Sequence, residues 1–165
     1  MLVPATERLL EACLLPREEF GRAAGWAVPA DWPAKHWDDG AVNWLLNRVR
    51  ADASLVEWGA RFVVQPEGPT LIGTVGCYGP PDGEGVVEIG YGIVEHLRRR
   101  GYGSEAAAGL VGWLWQQPGV KTVIAHTLVG DPASAGVLRR NGFARTGVIN
   151  RPPDGDIERF ELARL

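Results

Sequence analysis

The chain has 165 residues and a formal net charge of -3, and its 45% hydrophobic and 22% charged residues match one ordinary globular domain. That balance excludes a disordered or collagen-like chain, and a mildly acidic protein lacks the basic stripe that neutralises nucleic-acid phosphates. Cys13 and Cys77 have no CxxC spacing, and no run approaches the ~18 apolar residues of a membrane span; the expectation is a cytoplasmic protein with no disulfide, no metal, no nucleic acid and no membrane.

In chain order, Leu9, Leu10, Cys13 and Leu14 recur at helical spacing between Thr6 and about Ala24, with Thr6 as a cap and Pro16 as a break. Residues 25–40 hold three tryptophans and two prolines and read as a long aromatic loop. A second helical pattern runs from Ala41 to Ala51, with Val42, Leu45, Leu46 and Val49 on one face. The pattern then turns to strands: Glu57 to Gln65 and Thr70 to Tyr78 flank the turn Pro66-Glu67-Gly68-Pro69, and a third strand spans Gly85 to Val94. A helix over Gly101 to Gln117 precedes an apolar, β-branched strand at Val120 to Leu128, an order that predicts a parallel strand pair. Asp131-Pro132 opens another helix, Asn141-Gly142 stops it, and two strands close the chain around Arg151-Pro152-Pro153-Asp154-Gly155.

The segment from Glu88 to Ser104 runs from a strand through a basic turn into a helix. Gly101 and Gly103 uncover the helix start, so free N–H groups and the positive end of the dipole can hold an anion beside Arg98, Arg99 and Arg100. The turn lacks the full G-x-G-x-x-G and Walker patterns, which disfavours NAD and mononucleotides.

Arg98-x-x-Gly101-x-Gly103 after a strand, followed by a helix, a strand and the stretch Asp131 to Phe143, resembles the GNAT superfamily of acetyl-CoA-dependent N-acetyltransferases. Glu88-Ile89-Gly90-Tyr91 and Ala125-His126-Thr127-Leu128 resemble its RimJ/RimL-like branch. The resemblance covers about Thr70 to Phe143 and implies one α+β domain over residues 1–165, with a helical acceptor-side region (1–55) and a sheet core carrying the acetyl-CoA site (56–165). The implied sheet is mixed and mostly antiparallel, with one splayed parallel pair and about four flanking helices.

By the same resemblance, Arg98, Arg99, Arg100, Gly101, Tyr102, Gly103 and Ser104 wrap the CoA pyrophosphate. Backbone groups of Ile93 and Val94 pair with the pantetheine arm, and an N–H near Ile93 polarises the thioester carbonyl. Acyl transfer needs a base for the attacking ammonium and an acid for the departing thiolate. Glu88 matches the family's frequent base position; Glu95 and the Asp38-Asp39 pair are second choices, and His126, alternating with Ile124 and Leu128, reads as a core histidine. Leu138 stands where many members carry an acidic Tyr, so the acid falls to Ser134, which equally reads as a residue capping its own helix. Asp131 replaces a preferred Asn and is either a pantetheine contact or a plain N-cap.

The family's acceptor wall falls on the first helices and their loop, here Trp26, Trp32, His36, Trp37, Asp38, Asp39 and Trp44, with Tyr91 added from the strand. Aromatic faces and carboxylates suit a cationic amine: a protein N-terminus, a polyamine or an aminoglycoside. The expected activity is transfer of acetyl to a primary amine in a direct ternary complex, by a monomer or homodimer. A non-catalytic acyl-CoA-binding or regulatory module is the alternative.

Overall fold

In the computed structural model, which describes residues 1–164, the chain begins with an edge strand, β1 (Leu2–Pro4), and then α1 (Glu7–Cys13) and α2 (Arg17–Ala24). Thr6 caps α1 by accepting from the Leu9 N–H, and Pro16 divides the two helices, its fixed φ and missing N–H preventing a continuous run. Residues 25–38 form the long loop, and α3 (Asp39–Ala51) starts where the Asp38 side chain accepts from the Ala41 N–H. The remaining elements are β2 (Ala60–Gln65), β3 (Thr70–Cys77), β4 (Val86–Ile93), α4 (Tyr102–Leu114), β5 (Thr122–Leu128), α5 (Pro132–Arg140), β6 (Ala144–Arg151) and β7 (Gly155–Ala163).

The seven strands form one sheet in the order β1-β2-β3-β4-β5-β7-β6. Every neighbouring pair is antiparallel except β4 and β5, as the strand, helix, strand order implies. Among the described residues the α-helices number five because Pro16 splits the first helical pattern, and β1 makes the N-terminal region more than helical. Three residues ending in proline are too few for a strand signal; β1 is held by pairing with Arg61, Phe62 and Val63 of β2.

Two apolar layers cover the sheet. On one face α4 and α5 pack against Val75, Val87, Ile89, Val123 and Phe160; on the other α1–α3 and their loop pack against Phe62, Val64 and Leu71. Because side chains alternate along a strand, β4 sends Ile89, Tyr91 and Ile93 toward α4 and α5, and Glu88, Gly90 and Gly92 toward the loop.

Asp131 caps α5 by accepting from the Ser134 N–H at 3.0 Å, ahead of Pro132 at the first helical position. Asp131→Ala is expected to cost about 1 kcal/mol, or a fall of about 2–4 °C in thermal unfolding at this chain length. Asp131→Asn, an equally good cap, should stay within a few tenths; equal melting of the Ala variant and wild type would show that the cap contributes nothing.

Candidate active site

The centre of the molecule is a divergence between β4 and β5. Their parallel pairing runs from Val86–Thr122 to Ile89–Ala125 and then stops, although β4 continues to Ile93 and β5 to Leu128. Among the described residues, three buried side-chain polar atoms lack a hydrogen-bond partner: Ser104 Oγ, His126 Nε2 and Thr127 Oγ1. His126 and Thr127 are the first two residues of β5 past the divergence, and Ser104 lies in the first turn of α4 beside it. By alternation His126 faces the Glu88 side of the sheet and Thr127 the α4–α5 side, where Ser104 also lies.

The basic turn is built as its residues predict. Arg99 (φ 62°) and Gly101 (φ 91°) both take the left-handed conformation, which brings the chain sharply into α4. Open space surrounds the Gly101 Cα, and Tyr102 and Gly103 are the first two residues of the helix, with the Tyr102 hydroxyl accepting from Gln65 Nε2 at 2.9 Å. Arg98, Arg99 and Arg100 are exposed and form no ion pair among the described residues. Arg98 Nε donates to the Ile93 carbonyl at 3.1 Å, which ties the turn to the end of β4.

Val94 departs from expectation. Its N–H donates to the Ile72 carbonyl at 3.0 Å and its carbonyl accepts from the Leu97 N–H, so neither group is open to a pantetheine arm. Backbone groups alternate between the two edges of a strand, so the Ile93 N–H faces β5 and remains the candidate on this edge.

Tyr91 also differs from the expectation of an acceptor contact: alternation puts it on the α5 side, opposite Glu88. Its hydroxyl donates to the Ser134 carbonyl at 2.9 Å and lies 3.1 Å from Ser134 Oγ. A phenol has one proton, so the Ser134 hydroxyl donates in turn to the Tyr91 oxygen. Burial pushes the Tyr91 phenol up to about 12, opposed by the bond from Ser134 and reinforced by Asp131. Tyr91 and Ser134 thus act as one hydroxyl pair at the mouth of the divergence.

On the other face, Glu88 is half-buried and its Oε1 accepts from His126 Nδ1 at 2.8 Å and from Arg151 Nη1 at 3.3 Å. A carboxylate can only accept, so the Nδ1 proton belongs to this bond. His126, with a side chain 7% exposed, is buried as a core histidine would be, and its bonded Nδ1 belongs to Glu88. Arg151 comes from the tip of the β6–β7 hairpin, which sequence shows only as a turn. Tyr78 completes the cluster: burial raises its phenol first, and Glu88 and Asp154 raise it further against Arg151. The second-choice carboxylates are used or remote: Asp38 caps α3, and Glu95 sits in the exposed turn after β4.

The loop residues divide between packing and exposure. Trp26, Trp32 and Trp37 converge on Phe62, with ring centroids 5.5, 6.3 and 5.6 Å away, and Trp37 Nε1 donates to Cys13 Sγ at 3.3 Å. All three pack the loop onto the sheet; Trp37 is buried, Trp26 and Trp32 keep part of their surface open, and Trp44 is 47% exposed with Arg48 stacked 4.5 Å over its ring. His36 is exposed, in a left-handed conformation (φ 68°). The loop lies directly on β4 because Gly92 has no side chain; a Cβ there would stand 3.3 Å from both Ala34 Cβ and the Lys35 carbonyl.

Asp31 then joins this loop to the basic turn. It accepts from the His96 N–H at 3.0 Å and from His96 Nδ1 at 2.8 Å, bonds that hold its carboxyl below the ordinary value. No motif announces this clasp, since 65 positions separate its halves.

A sheet opened at its one parallel pair, with an anion-ready helix start on one side and an oriented carboxylate on the other, has the architecture of an acyl-CoA-dependent transferase. A family model for the acetyltransferase (GNAT) domain matches residues 1–144. The chain belongs to the GNAT acetyltransferases and is an acetyl-CoA-dependent acyltransferase. It is 24% identical over 135 residues to the uncharacterized N-acetyltransferase YjdG of Bacillus subtilis, covering 82% of this chain and 80% of that one. Its fold matches a putative ribosomal-protein-serine acetyltransferase from Vibrio cholerae with a TM-score of 0.69, at 17% identity, over 99% of this chain and 92% of the other. It also matches RimL, a ribosomal L7/L12 alpha-N-protein acetyltransferase in complex with coenzyme A, with a TM-score of 0.65, at 17% identity and with 98% and 92% coverage.

Proposed function

We propose that the chain moves acetyl from acetyl-CoA to a primary amine, a peptide N-terminus or a small cationic amine, by direct attack in a ternary complex. The observation that carries this reading is the end of the β4–β5 pairing at Ile89–Ala125 while both strands continue, with the Arg98–Gly101 turn leading into α4 and Glu88 held by His126 beside it. The residues present fit acetyl-CoA: the start of α4 with Arg98, Arg99 and Arg100 would hold its pyrophosphate, and the Ile93 N–H would meet its pantetheine end. Acetyl-CoA supplies an activated acetyl group as a thioester.

The remaining work falls to side chains. Glu88 takes a proton from the acceptor ammonium through Oε2, the oxygen not held by His126 and Arg151. The freed nitrogen bonds to the acetyl carbon as the carbon–sulfur bond breaks; the sulfur leaves as thiol on gaining a proton delivered at the Ser134–Tyr91 hydroxyl pair, which is made good by the second proton the nitrogen sheds on becoming an amide, while the first stays on Glu88 until released to solvent. No cysteine stands among these groups, which supports direct transfer: Cys13 is held by Trp37, and burial pushes Cys77 up to about 11. We place the activity in the cytoplasm, on the strength of two free cysteines and described residues without a helix long and apolar enough to cross a membrane.

Thiol release from acetyl-CoA across a panel of amines tests the reading, alongside thermal shift on adding CoA. Amine-dependent release is expected, together with a CoA shift that Arg98→Ala with Arg100→Ala reduces. A CoA shift without turnover on any amine would instead make the protein a binding module.

A further inference from the structure

One oxygen of Glu88 already carries a cation of the protein itself. Arg151 Nη1 donates to Glu88 Oε1 at 3.3 Å across 63 positions of sequence, its Nε stands 3.7 Å from Asp154 Oδ2, and its side chain is 43% exposed. A guanidinium on Oε1 of the proposed base leaves Oε2 to the acceptor ammonium and stands beside the place where that acceptor binds.

The nearby charges decide which acceptors that place favours. On the hairpin, Glu158 is bound by Arg145 at 2.6 Å, Glu161 by Arg159 at 2.7 Å and Asp156 by Asn150 Nδ2 at 2.7 Å, which leaves Asp154 as the weakly engaged carboxylate beside Arg151. A second cation, Arg48, flanks the same mouth, donating to the Tyr78 carbonyl at 2.8 Å while stacked on exposed Trp44. Tyr78 itself lies against β4; a Cβ on Gly90 would stand 3.1 Å from its hydroxyl oxygen. Beyond the single carboxylate of Glu88, the mouth therefore presents Arg151 and Arg48 over the aromatic surfaces of Tyr78 and Trp44.

We propose that Arg151 is the acceptor-specificity residue: held on Glu88 Oε1 beside the oxygen that meets the reacting amine, it selects acceptors bearing a negative group next to that amine, such as a peptide N-terminus followed by an acidic side chain. An acceptor with a second cation close to the first meets two arginines, with Asp154, itself against Arg151, as the one weakly engaged hairpin carboxylate to offset them. Like charges brought together in this way are rejected, and opposite ones are favoured and sensitive to salt. This inference rests on Glu88 being the base of an amine acetyltransferase.

The test uses the full chain, acetyl-CoA and two short peptides with free N-termini that differ only in Asp or Lys at the second position, read as the ratio of kcat/KM values. Wild type is expected to favour the Asp peptide by about tenfold, and less at high ionic strength. Arg151→Ala should bring the ratio toward one and Arg151→Glu should reverse it. Arg145→Gln, which removes an equal charge from the same hairpin without reaching Glu88, should leave it unchanged. An unchanged ratio in Arg151→Glu, or a wild type that prefers the Lys peptide, overturns the inference while leaving the acetyltransferase reading in place, as does turnover of other amines but of neither peptide. Failure of wild type to acetylate any amine overturns both.

Discussion

Glu88→Gln is expected to lower kcat by about 10²–10⁴-fold, the range in which a positioned acid or base contributes, with CoA binding held within twofold of wild type. The amide keeps the size of the side chain and retains an oxygen for His126 Nδ1 and Arg151, so the cluster at the end of the β4–β5 pairing stays assembled. What it loses is the second carboxylate oxygen, the atom left to accept a proton from the acceptor. Thiol release at saturating amine measures the loss, and an unchanged melting temperature separates it from unfolding. A fall of less than fivefold would move the base elsewhere. His126→Gln distinguishes orientation from proton removal: Gln can still donate to Glu88, so its loss should be much smaller than that of Glu88→Gln.

This site is partly legible in the sequence, and the division has a physical cause. Signals carried by neighbours in the chain survive folding: the Asp131-Pro132 cap, the left-handed glycine at Gly101, and the strand, helix, strand order that makes β4 and β5 parallel. Glu88 can be placed on its strand because alternation and the family resemblance converge there. The partners that give Glu88 its setting cannot, because His126, Arg151 and Tyr78 reach it from three other parts of the chain. The tryptophans show the same limit. Composition puts four of them near the acceptor loop, but whether an indole is buried depends on what faces it, and Phe62 on β2 takes Trp26, Trp32 and Trp37 while Trp44 stays exposed. Val94 escapes a sequence reading because which edge of a strand a backbone N–H faces depends on register, which only the pairing with Ile72 and Thr74 of β3 reveals.

Phe62→Ala should be among the most destabilising single changes, at about 3–5 kcal/mol for a buried aromatic truncated in a core. Phe62 is 0% exposed and its ring meets Phe20, Trp26, Trp32 and Trp37 at centroid distances of 5.8, 5.5, 6.3 and 5.6 Å. Its backbone also pairs with both Val3 and Thr74, so the chain cannot move to fill the space without disturbing two strand pairings. Against a total stability of about 5–15 kcal/mol for a natural domain, such a loss consumes a large share, and denaturant unfolding should show a clearly lower midpoint. The functional consequence is directional. Three of the four rings belong to the loop between α2 and α3 that rests on Gly92 and is clasped to the basic turn by Asp31, so the KM for amine should rise at temperatures where the variant remains folded. Removing the exposed ring instead, in Trp44→Ala, should change stability by no more than about 0.5 kcal/mol. If Phe62→Ala costs less than about 1.5 kcal/mol, then α1 and α2 hold the loop without it, and the aromatic cluster is a consequence of the fold rather than its fastening.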